Sequence, residues 1–367
     1  MKNTFGNSLS VSLFGESHGY AIGCVIDGIA PGIKIDTDYI NASLAQRAAR
    51  SDISTPRREA DEPIFLSGVK NGYTEGTPIA IIIKNEDTKS SAYLPYEDIP
   101  RPSHADYTAE CKYHGYQDKA GGGHFSGRIT APLVAAGAII RKALLQKGIK
   151  IGTHIKKLGS ISDSDFEDYS SDIEALAKAP FPTISSDTAD AMKEEILKKR
   201  ADSDSIGGVL ETAIIGMPAG VGEPWFDTVE SLIAHAMLAI PGIKGIEFGA
   251  GFGFADMAGS EANDPFRMEN GVVITEKNSN GGINGGITNG MPIIFRLAVK
   301  PTPSIAKEQK SVNLKSGENT TISVEGRHDP AIIHRARAVV DALAAIVIGD
   351  LLTTRFGTDY LGEGASK

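Results

Sequence analysis

The residues with the clearest chemical potential lie in one stretch of the chain, from Arg101 to Arg128. His104 carries an imidazole that titrates near neutral pH and can therefore donate or accept a proton. The run Gly121–Gly123 can take positive φ angles and bring backbone N–H groups close to a ligand. Arg128 adds a planar group that binds carboxylate or phosphate. The stretch predicts an anion site with an acid–base group, although a glycine turn beside a surface histidine is the simpler alternative.

Two earlier segments carry groups suited to the same chemistry. The loop Gly15–Gly19 presents His18 between two predicted strands, where it is either a second acid–base group or an ordinary turn residue. The next polar segment is rich in arginine although the protein is acidic, and we interpret it as an anion clamp rather than as a solvated face. Its arginines are Arg47, Arg50, Arg57 and Arg58.

Three candidate segments lie in the C-terminal part of the chain. Asn278–Gly290 is too rich in glycine and asparagine for regular structure, which predicts a flexible lid or a loop that wraps a ligand with its backbone. Lys300–Ser304 combines a lysine and two hydroxyls on a segment stiffened by proline, with a plain strand exit as the alternative. Asp329 and Pro330 are typical of a helix start, at the N-cap and the first helical position. Arg327 precedes them and would face a charged ligand there.

The elements that must position these groups follow from apolar periodicity. The predicted strands are Leu9–Phe14, Tyr20–Asp27, Pro63–Val69, Pro78–Lys84, Lys150–Lys157, Ile206–Met217 and Pro292–Val299. The predicted helices are Asp38–Arg50, Thr130–Gln146, Ser171–Lys178, Ala189–Lys199, Phe226–Ala239 (with Asp227 as its N-cap) and Ala331–Leu352. The helix from Thr130 would direct its positive N-terminal end at the triple glycine. Since no linker or strong repeat interrupts the pattern, we expect an α+β fold with one compact domain over residues 1–367.

The bulk composition limits the class of partner. The formal net charge of −9 argues against nucleic acid and anionic membranes. The two cysteines, Cys24 and Cys111, allow neither a disulfide framework nor a four-cysteine zinc site. We find no secretory pattern at the N-terminus and no run of about 20 apolar residues that could span a bilayer. We therefore expect a cytoplasmic protein.

Six motifs, in the same order along the chain, together resemble one family, the chorismate synthases. They are GESHG, RPSHADYT, GGG followed by GR, GGINGGITNG, KPTPS and GRHDP. The resemblance implies a sandwich of helices and antiparallel sheets and a homotetrameric assembly. It also implies a lyase of the shikimate pathway, in aromatic amino acid biosynthesis. Such an enzyme removes phosphate from 5-enolpyruvylshikimate 3-phosphate by an anti 1,4-elimination that gives chorismate and requires reduced FMN.

The resemblance also assigns roles to individual residues. His18 matches the histidine that protonates the reduced flavin, His104 the one that protonates the departing phosphate, and Asp329 the carboxylate that works with flavin N5 as the ring proton is removed. The expected substrate-binding arginines are Arg47, Arg50, Arg57, Arg128 and Arg327. The expected FMN contacts are Ser126, Gly242, Gly285, Lys300, Pro301, Thr302, Pro303, Ser304 and Arg327.

The chain departs from the family pattern at three places. His124-Phe125-Ser126-Gly127-Arg128 stands where many members have Arg-Ser-Ser-Ala-Arg, and Pro241-Gly242 where many have Asn-Ala. The arginine segment lacks the usual Arg-Pro-Gly. The resemblance leaves the flavin reductant open, because some members use NADPH themselves and others depend on outside reductants. Since the chain carries no added domain, we expect outside reduction.

Two other classes of function fit some of the same residues. A binding protein for phosphorylated metabolites would use the histidines and arginines to hold a ligand without reacting. A metal hydrolase would use His104, Cys111, His114 and His124, although only the Cys-x-x-His spacing supports it.

Overall fold

Two antiparallel five-stranded sheets enclose the central helices of this protein. The computed structural model describes residues 2–49, 53–54, 59–86, 97–324 and 329–362. The strands are β1 (Thr4–Phe5), β2 (Ser10–Gly15), β3 (Ala21–Asp27), β4 (Ile64–Phe65), β5 (Val69–Lys70), β6 (Tyr73–Thr74), β7 (Ile79–Lys84), β8 (Lys150–Leu158), β9 (Ile161–Ser162), β10 (Gly208–Ile215), β11 (Ile243–Phe248), β12 (Phe266–Glu269), β13 (Val272–Thr275), β14 (Ile283–Asn284), β15 (Ile287–Thr288), β16 (Ile293–Val299), β17 (Gln309–Asn313) and β18 (Glu318–Ile322). The helices are α1 (Thr37–Arg47), α2 (Asp106–Tyr113), α3 (Thr130–Gln146), α4 (Tyr169–Lys178), α5 (Ser186–Ala201), α6 (Val229–Leu238), α7 (Gly259–Ala262) and α8 (Ile333–Phe356).

The first sheet has the order β1-β2-β3-β7-β4 and the second β11-β16-β10-β8-β9. Side chains alternate between the two faces of a strand, and in β7 this places Ile79, Ile81 and Ile83 in the core with no exposed surface. Helix α3 packs on the first sheet, α8 on the second, and the two helices pack on each other. This arrangement confirms the α+β sandwich of helices and antiparallel sheets. One hydrophobic cluster joins the layers in the described part of the chain, and the single domain over residues 1–367 stays a prediction.

Glycine allows the two central helices to approach closely. A Cβ atom added at Gly137 of α3 would lie 2.4 Å from the Cβ of Ala342 in α8, and one added at Gly349 would lie 2.8 Å from Ile140. Asp350, near the end of α8, accepts backbone hydrogen bonds from three consecutive residues that lead into β2, at 2.8 to 3.0 Å. The carboxylate therefore anchors the start of the first sheet to the helix layer.

Buried charges also join the helices to the second sheet. Asp341 of α8 accepts a hydrogen bond from Thr153 of β8 at 2.7 Å and forms an ion pair with Arg141 of α3 at 3.3 Å. Arg337 lies 3.7 Å from the same carboxylate and donates to the carbonyl of Leu176 in α4. Because all three charged groups are buried, each needs these partners to offset its lost hydration.

The structure corrects the predicted starts of two helices. Helix α8 begins at Ile333, so Asp329 is not its N-cap and Pro330 is not its first residue. The carbonyl of Pro330 instead accepts a hydrogen bond from Ile206, which ties this segment to β10. The cap of α6 is Thr228 rather than Asp227, because the Thr228 side chain accepts from the Ser231 N–H at 2.9 Å.

Three further predictions need correction. The predicted strand Pro63–Val69 is divided into β4 and the start of β5. Helix α2 had no counterpart in the prediction, since only Ala109 among its residues is buried and it shows little apolar periodicity. The Asn278–Gly290 loop was expected to lack regular structure, yet it contains the β14–β15 hairpin. Asp264 accepts the N–H groups of Ser279 and Asn280, which fixes the entry to this loop.

Among the described residues, one helix is long and apolar enough to cross a membrane by length and composition alone. It comprises α3 and the turn before it, Gly127–Gln146. Its most apolar stretch is 83% buried within the protein, so this apolar surface is used in the core.

The helix contact gives a prediction about stability. We expect Gly137→Ala to destabilise the protein by about 2 kcal/mol, because the added methyl overlaps α8 and this outweighs the better helix propensity of alanine. The matched control is Gly259→Ala in α7, where nothing lies within 4 Å of the added Cβ, and it should be neutral or slightly stabilising. Chemical denaturation of both variants measures the difference, and equal stabilities would contradict the close packing.

Candidate active site

The triple glycine forms the turn on which two histidines meet. Gly121, Gly122 and Gly123 have φ angles of 64°, 106° and 52°, which confirms the predicted positive-φ backbone. A Cβ at Gly121 would lie 2.0 Å from Cε1 of His18, and one at Gly122 would lie 3.3 Å from Cε1 of His104. Since consecutive Cα atoms are about 3.8 Å apart, the two imidazoles flank neighbouring positions of one turn.

The loop that carries His18 is fixed by several hydrogen bonds. The Ser17 hydroxyl is buried and lies 3.0 Å from Nδ1 of His18, and the Ser17 N–H donates to the carbonyl of Gly123. The Asn85 amide donates to the carbonyls of Glu16 and Gly19 at 3.0 and 2.8 Å. The loop therefore connects the end of β2 to the triple glycine and to the end of β7, and it holds the His18 backbone in one place.

His104 belongs to a second group of charged side chains. Its Nδ1 lies 2.7 Å from Oδ1 of Asp106, the first residue of α2. Arg101 donates to both oxygens of the same carboxylate, from Nε and Nη2 at 2.8 Å each. Burial alone would raise the pKa of Asp106, but the hydrogen bonds from Arg101 and His104 outweigh it and hold this pKa well below its usual range.

Two of the predicted substrate-binding arginines share one carboxylate. Asp61 forms ion pairs with Arg128 and with Arg47, the latter at 3.3 Å, and all three side chains are buried. Arg128 also donates to the side chain of Asn85 and to a backbone carbonyl, both at 3.1 Å. Burial lowers the pKa of Arg47 to about 10, partly offset by Asp61. The two arginines, which we expected to belong to an anion clamp, are thus oriented by a carboxylate.

Asp329 reaches the same cluster through α8. Its carboxylate accepts a hydrogen bond from Arg335, whose Nε donates to the carbonyl of Arg47 at 2.8 Å. His334, in the first turn of α8, lies 2.8 Å from the hydroxyl of Ser54 through Nε2. Arg128 lies in the turn that precedes α3, and Arg335 lies in the first turn of α8, so the N-terminal ends of both central helices meet at this cluster. Such ends favour a bound anion.

The Lys300–Ser304 segment joins the site from the second sheet. The Lys300 N–H donates to the carbonyl of Gly242 at 2.9 Å, and its Nζ donates to the carbonyl of Ser103 at 2.6 Å. Burial and the neighbouring Lys244 both lower the pKa of Lys300. Thr302 has a buried Oγ1 with no hydrogen-bond partner among the described residues, which leaves a donor for a ligand oxygen.

A cleft of about 360 Å³ opens beside His104 and Gly122. Phe125, Leu314 and Val324 supply apolar parts of its wall. The β17–β18 hairpin carries Leu314, whose N–H donates to the carbonyl of Asp98 at 2.8 Å. The cleft is therefore enclosed between the triple-glycine turn, α2 and this hairpin.

The other predicted site residues lie on several elements. Gly285 lies in the turn between β14 and β15, and Lys300 directly follows strand β16. Ser126 caps the turn before α3, where its hydroxyl accepts from the Arg128 N–H. Three predicted substrate or cofactor residues, Arg50, Arg57 and Arg327, lie outside the described residues.

The residues proposed for a metal hydrolase have other contacts. His104 pairs with Asp106, and Nδ1 of His124 lies 2.8 Å from the carbonyl of Gly15. Within the parts of the chain that the structure describes, no group of three or more histidine, cysteine, aspartate or glutamate residues could hold a metal ion.

Sequence reasoning missed several residues that organise the site. Asp61, Asn85 and Arg335 orient the predicted arginines and the His18 loop, but their partners are distant in the chain, so no local pattern reveals them. The sequence does contain a signal for Asp106, since the spacing His-x-Asp at a helix start can bring a carboxylate to an imidazole.

The buried His334 gives a prediction about pH. Burial, reinforced by Arg335, lowers its pKa from 6.5 to about 4, although Asp329 opposes the shift. Between these values the unfolded chain binds a proton that the folded protein does not, so stability is lost as pH falls from 6.5 to 4. This drop corresponds to about 3 kcal/mol.

The measurement is the free energy of unfolding against pH for the wild type and for His334→Gln. The wild type should lose about 3 kcal/mol more than the variant over this window. The control is His114→Gln at an exposed position, which should keep the wild-type slope. Parallel curves for the wild type and His334→Gln would contradict a neutral, buried imidazole.

Comparison with known proteins identifies the family to which this geometry belongs. The chorismate synthase family model matches residues 9–353. The chorismate synthase of Thermococcus gammatolerans is 45% identical over 351 residues, covering 95% of this chain and 97% of that protein. The chorismate synthase of Methanosarcina barkeri is 44% identical, with 95% of each chain covered.

A solved structure gives the same result for the fold. A crystal structure of chorismate synthase superposes with a TM-score of 0.75 at 28% identity, covering 96% of this chain and 94% of that one. Family model, relatives and structure all extend over nearly the whole chain, so the likeness is not confined to one motif. The chain belongs to the chorismate synthase family.

Proposed function

We propose that this chain converts 5-enolpyruvylshikimate 3-phosphate to chorismate and phosphate by anti 1,4-elimination, with reduced FMN bound. The observation that carries the proposal is the meeting of His18 and His104 on consecutive glycines of one turn. Anion-binding arginines adjoin this turn through Asn85, which contacts both Arg128 and the His18 loop. A multiply anionic substrate and two proton transfers near neutral pH require this combination of groups.

His104 is the group that we assign to the departing phosphate. Its Nδ1 is engaged by Asp106, which leaves Nε2 on the side of Gly122 and the cleft. A proton donated from Nε2 neutralises negative charge on the phosphate oxygen as the carbon–oxygen bond breaks, and so favours departure. We assign to Asp329 the role of the carboxylate that would work with flavin N5 as the ring proton is removed. Its ion pair with Arg335 keeps the carboxylate oriented before the substrate binds.

The residues around Lys300 fit an FMN phosphate. This short segment offers charge and hydrogen-bond donors: the Lys300 ammonium, the buried Ser304 hydroxyl and the Thr302 hydroxyl, which has no partner in the described part of the chain. When bound, reduced FMN would supply the electron chemistry of the elimination, which amino-acid side chains cannot provide. His18, held beside Ser17, is the residue that we assign to keeping the flavin in the required protonation state.

The acidic neighbours of the arginines suit a substrate that must bind and leave. Asp61 holds Arg47 and Arg128 in position while the site is free of substrate, so little side-chain entropy remains to be lost on binding. A substrate phosphate or carboxylate can then accept from donors that already point in one direction. We propose that Arg50, Arg57 and Arg327 add positive charge to the same site.

Two finer proposals concern the cellular setting. We propose that the protein works in the cytoplasm and that an outside reductant, rather than its own oxidation of NADPH, reduces the flavin.

Substitution of the histidines tests the proposed roles. His18→Asn and His104→Asn should each lower kcat by about 10²–10⁴-fold, because each removes a proton-transfer group. The control is His114→Asn at the left-handed C-cap of α2, a conformation that asparagine tolerates, and its kcat should stay near the wild-type value. The assay follows anaerobic chorismate formation with chemically reduced FMN.

The outcome also separates the proposed lyase from a binding protein. A binding protein would show no turnover in the wild type and only a change in ligand affinity in the variants. Wild-type rates in both site variants would contradict the assigned roles.

We propose that the homotetramer expected from the resemblance forms in part through the β12–β13 hairpin. Its strands expose Phe266 (65%), Met268 (68%) and Val273 (51%), and exposed apolar patches of this kind mark protein–protein contacts. Sedimentation velocity should show a tetramer that the double variant Phe266→Ser, Met268→Ser dissociates. The control Val312→Ser, at an exposed position of the β17–β18 hairpin, should remain tetrameric, and a monomeric wild type at micromolar concentration would contradict the proposal.

A further inference from the structure

We propose that Asp106, held by Arg101, is a positioning residue that fixes the tautomer of His104 and leaves Nε2 as its proton-donating atom. The inference rests on the proposed function, in which His104 protonates the departing phosphate. It goes further because it explains how one nitrogen of the ring is selected for the task. Arg101 and Asp106 flank His104 in the same short segment at the start of α2.

The Asp106 carboxylate is held from three directions. Arg101 donates from its backbone N–H to Oδ2 at 2.9 Å, from Nε to Oδ2 at 2.8 Å and from Nη2 to Oδ1 at 2.8 Å. The two side-chain bonds form the parallel, bidentate arrangement that fixes a carboxylate in one plane. The Arg101 side chain is only 9% exposed, so the guanidinium that orients the carboxylate is largely shielded from water, whereas the Asp106 side chain is 27% exposed.

Nδ1 of His104 has two charged neighbours, and they require opposite states of the ring. Oδ1 of Asp106 lies at 2.7 Å and can only accept a hydrogen bond. Nη2 of Arg101 lies at 3.1 Å and can only donate one. Nδ1 must therefore carry a proton to satisfy Asp106, or carry none to satisfy Arg101. The contact with Asp106 is the shorter one, so Nδ1 carries the proton.

This choice determines what Nε2 can do. With Nδ1–H bonded to Asp106, the imidazolium holds its second proton on Nε2, on the side of Gly122. Transfer of that proton to a phosphate oxygen leaves the neutral Nδ1–H tautomer, which keeps its bond to Asp106 and needs no rotation of the ring. Without the Asp106 carboxylate, the Arg101 guanidinium would donate a hydrogen bond to an unprotonated Nδ1. Its positive charge would also disfavour the imidazolium, so His104 would lose the second proton that it must donate.

The second sheet supports the same segment. Ser103 has a left-handed backbone with φ of 59°, which is uncommon for a residue other than glycine. Lys300 donates to the Ser103 carbonyl at 2.6 Å and so holds the turn that directs His104. The imidazole is thus oriented from both sides, by Asp106 at Nδ1 and by the braced backbone behind it.

The test is Asp106→Asn. An asparagine has one acceptor oxygen, which cannot satisfy both Arg101 and Nδ1 as two carboxylate oxygens do. We expect kcat for chorismate formation to fall about 100-fold, with the KM for substrate and the Kd for FMN within threefold of the wild type. Asp106→Glu should recover at least tenfold of this loss, because it restores the charge. The control Asp190→Asn, at an exposed position of α5 that does not line the cleft, removes a carboxylate without this contact and should change kcat by less than twofold.

A spectroscopic measurement distinguishes positioning from a general structural role. In protein with ¹⁵N-labelled histidine, with no flavin or substrate added, the His104 signals are identified by their loss in His104→Asn. The wild type should show a protonated Nδ1, and Asp106→Asn should show the Nε2–H tautomer. The same tautomer in both proteins, or an unchanged kcat, would overturn the inference. Absence of turnover in the wild type would instead refute the proposed function, while the tautomer result would still stand.

Discussion

The close approach of two imidazoles to one glycine turn is the constraint on which the rest of the site depends. At Gly121 a side chain would overlap His18, at Gly122 an added Cβ would lie 3.3 Å from His104, and the backbone at both has positive φ. The turn lies between the β2–β3 loop and α2, and it leads directly into α3. Each histidine is then oriented by a neighbour in its own segment, Ser17 for His18 and Asp106 for His104.

The central helices serve the site by bringing charge to the same place. Close packing at Gly137 and Gly349 lets α3 and α8 lie against each other, and buried ion pairs around Asp341 link them to the second sheet. The starts of the two helices meet at Arg47. Its backbone carbonyl accepts a hydrogen bond from Arg335 of α8, and its side chain pairs with Asp61, which also pairs with Arg128 before α3. Thus the packing that stabilises the core also sets the positions of the anion-binding groups.

Much of this architecture was predictable from local sequence. Helix α3 was predicted with its observed bounds because its apolar pattern is long, and the positive φ angles followed from three consecutive glycines. The start of α8 was not predicted correctly, because Asp329-Pro330 resembles a helix cap. Asp329 in fact pairs with Arg335, and the Pro330 carbonyl accepts a hydrogen bond from Ile206, which the local pattern does not reveal. The contacts of Asp61 and Asn85 join residues distant in the chain, which periodicity cannot reveal.

The most direct test of this account is chorismate formation from 5-enolpyruvylshikimate 3-phosphate by the wild-type protein under anaerobic conditions. The assay compares oxidised FMN, chemically reduced FMN and no flavin. The account predicts chorismate and phosphate in equal amounts with reduced FMN only. Phosphate release without flavin, or no product from folded protein that binds reduced FMN, would contradict it.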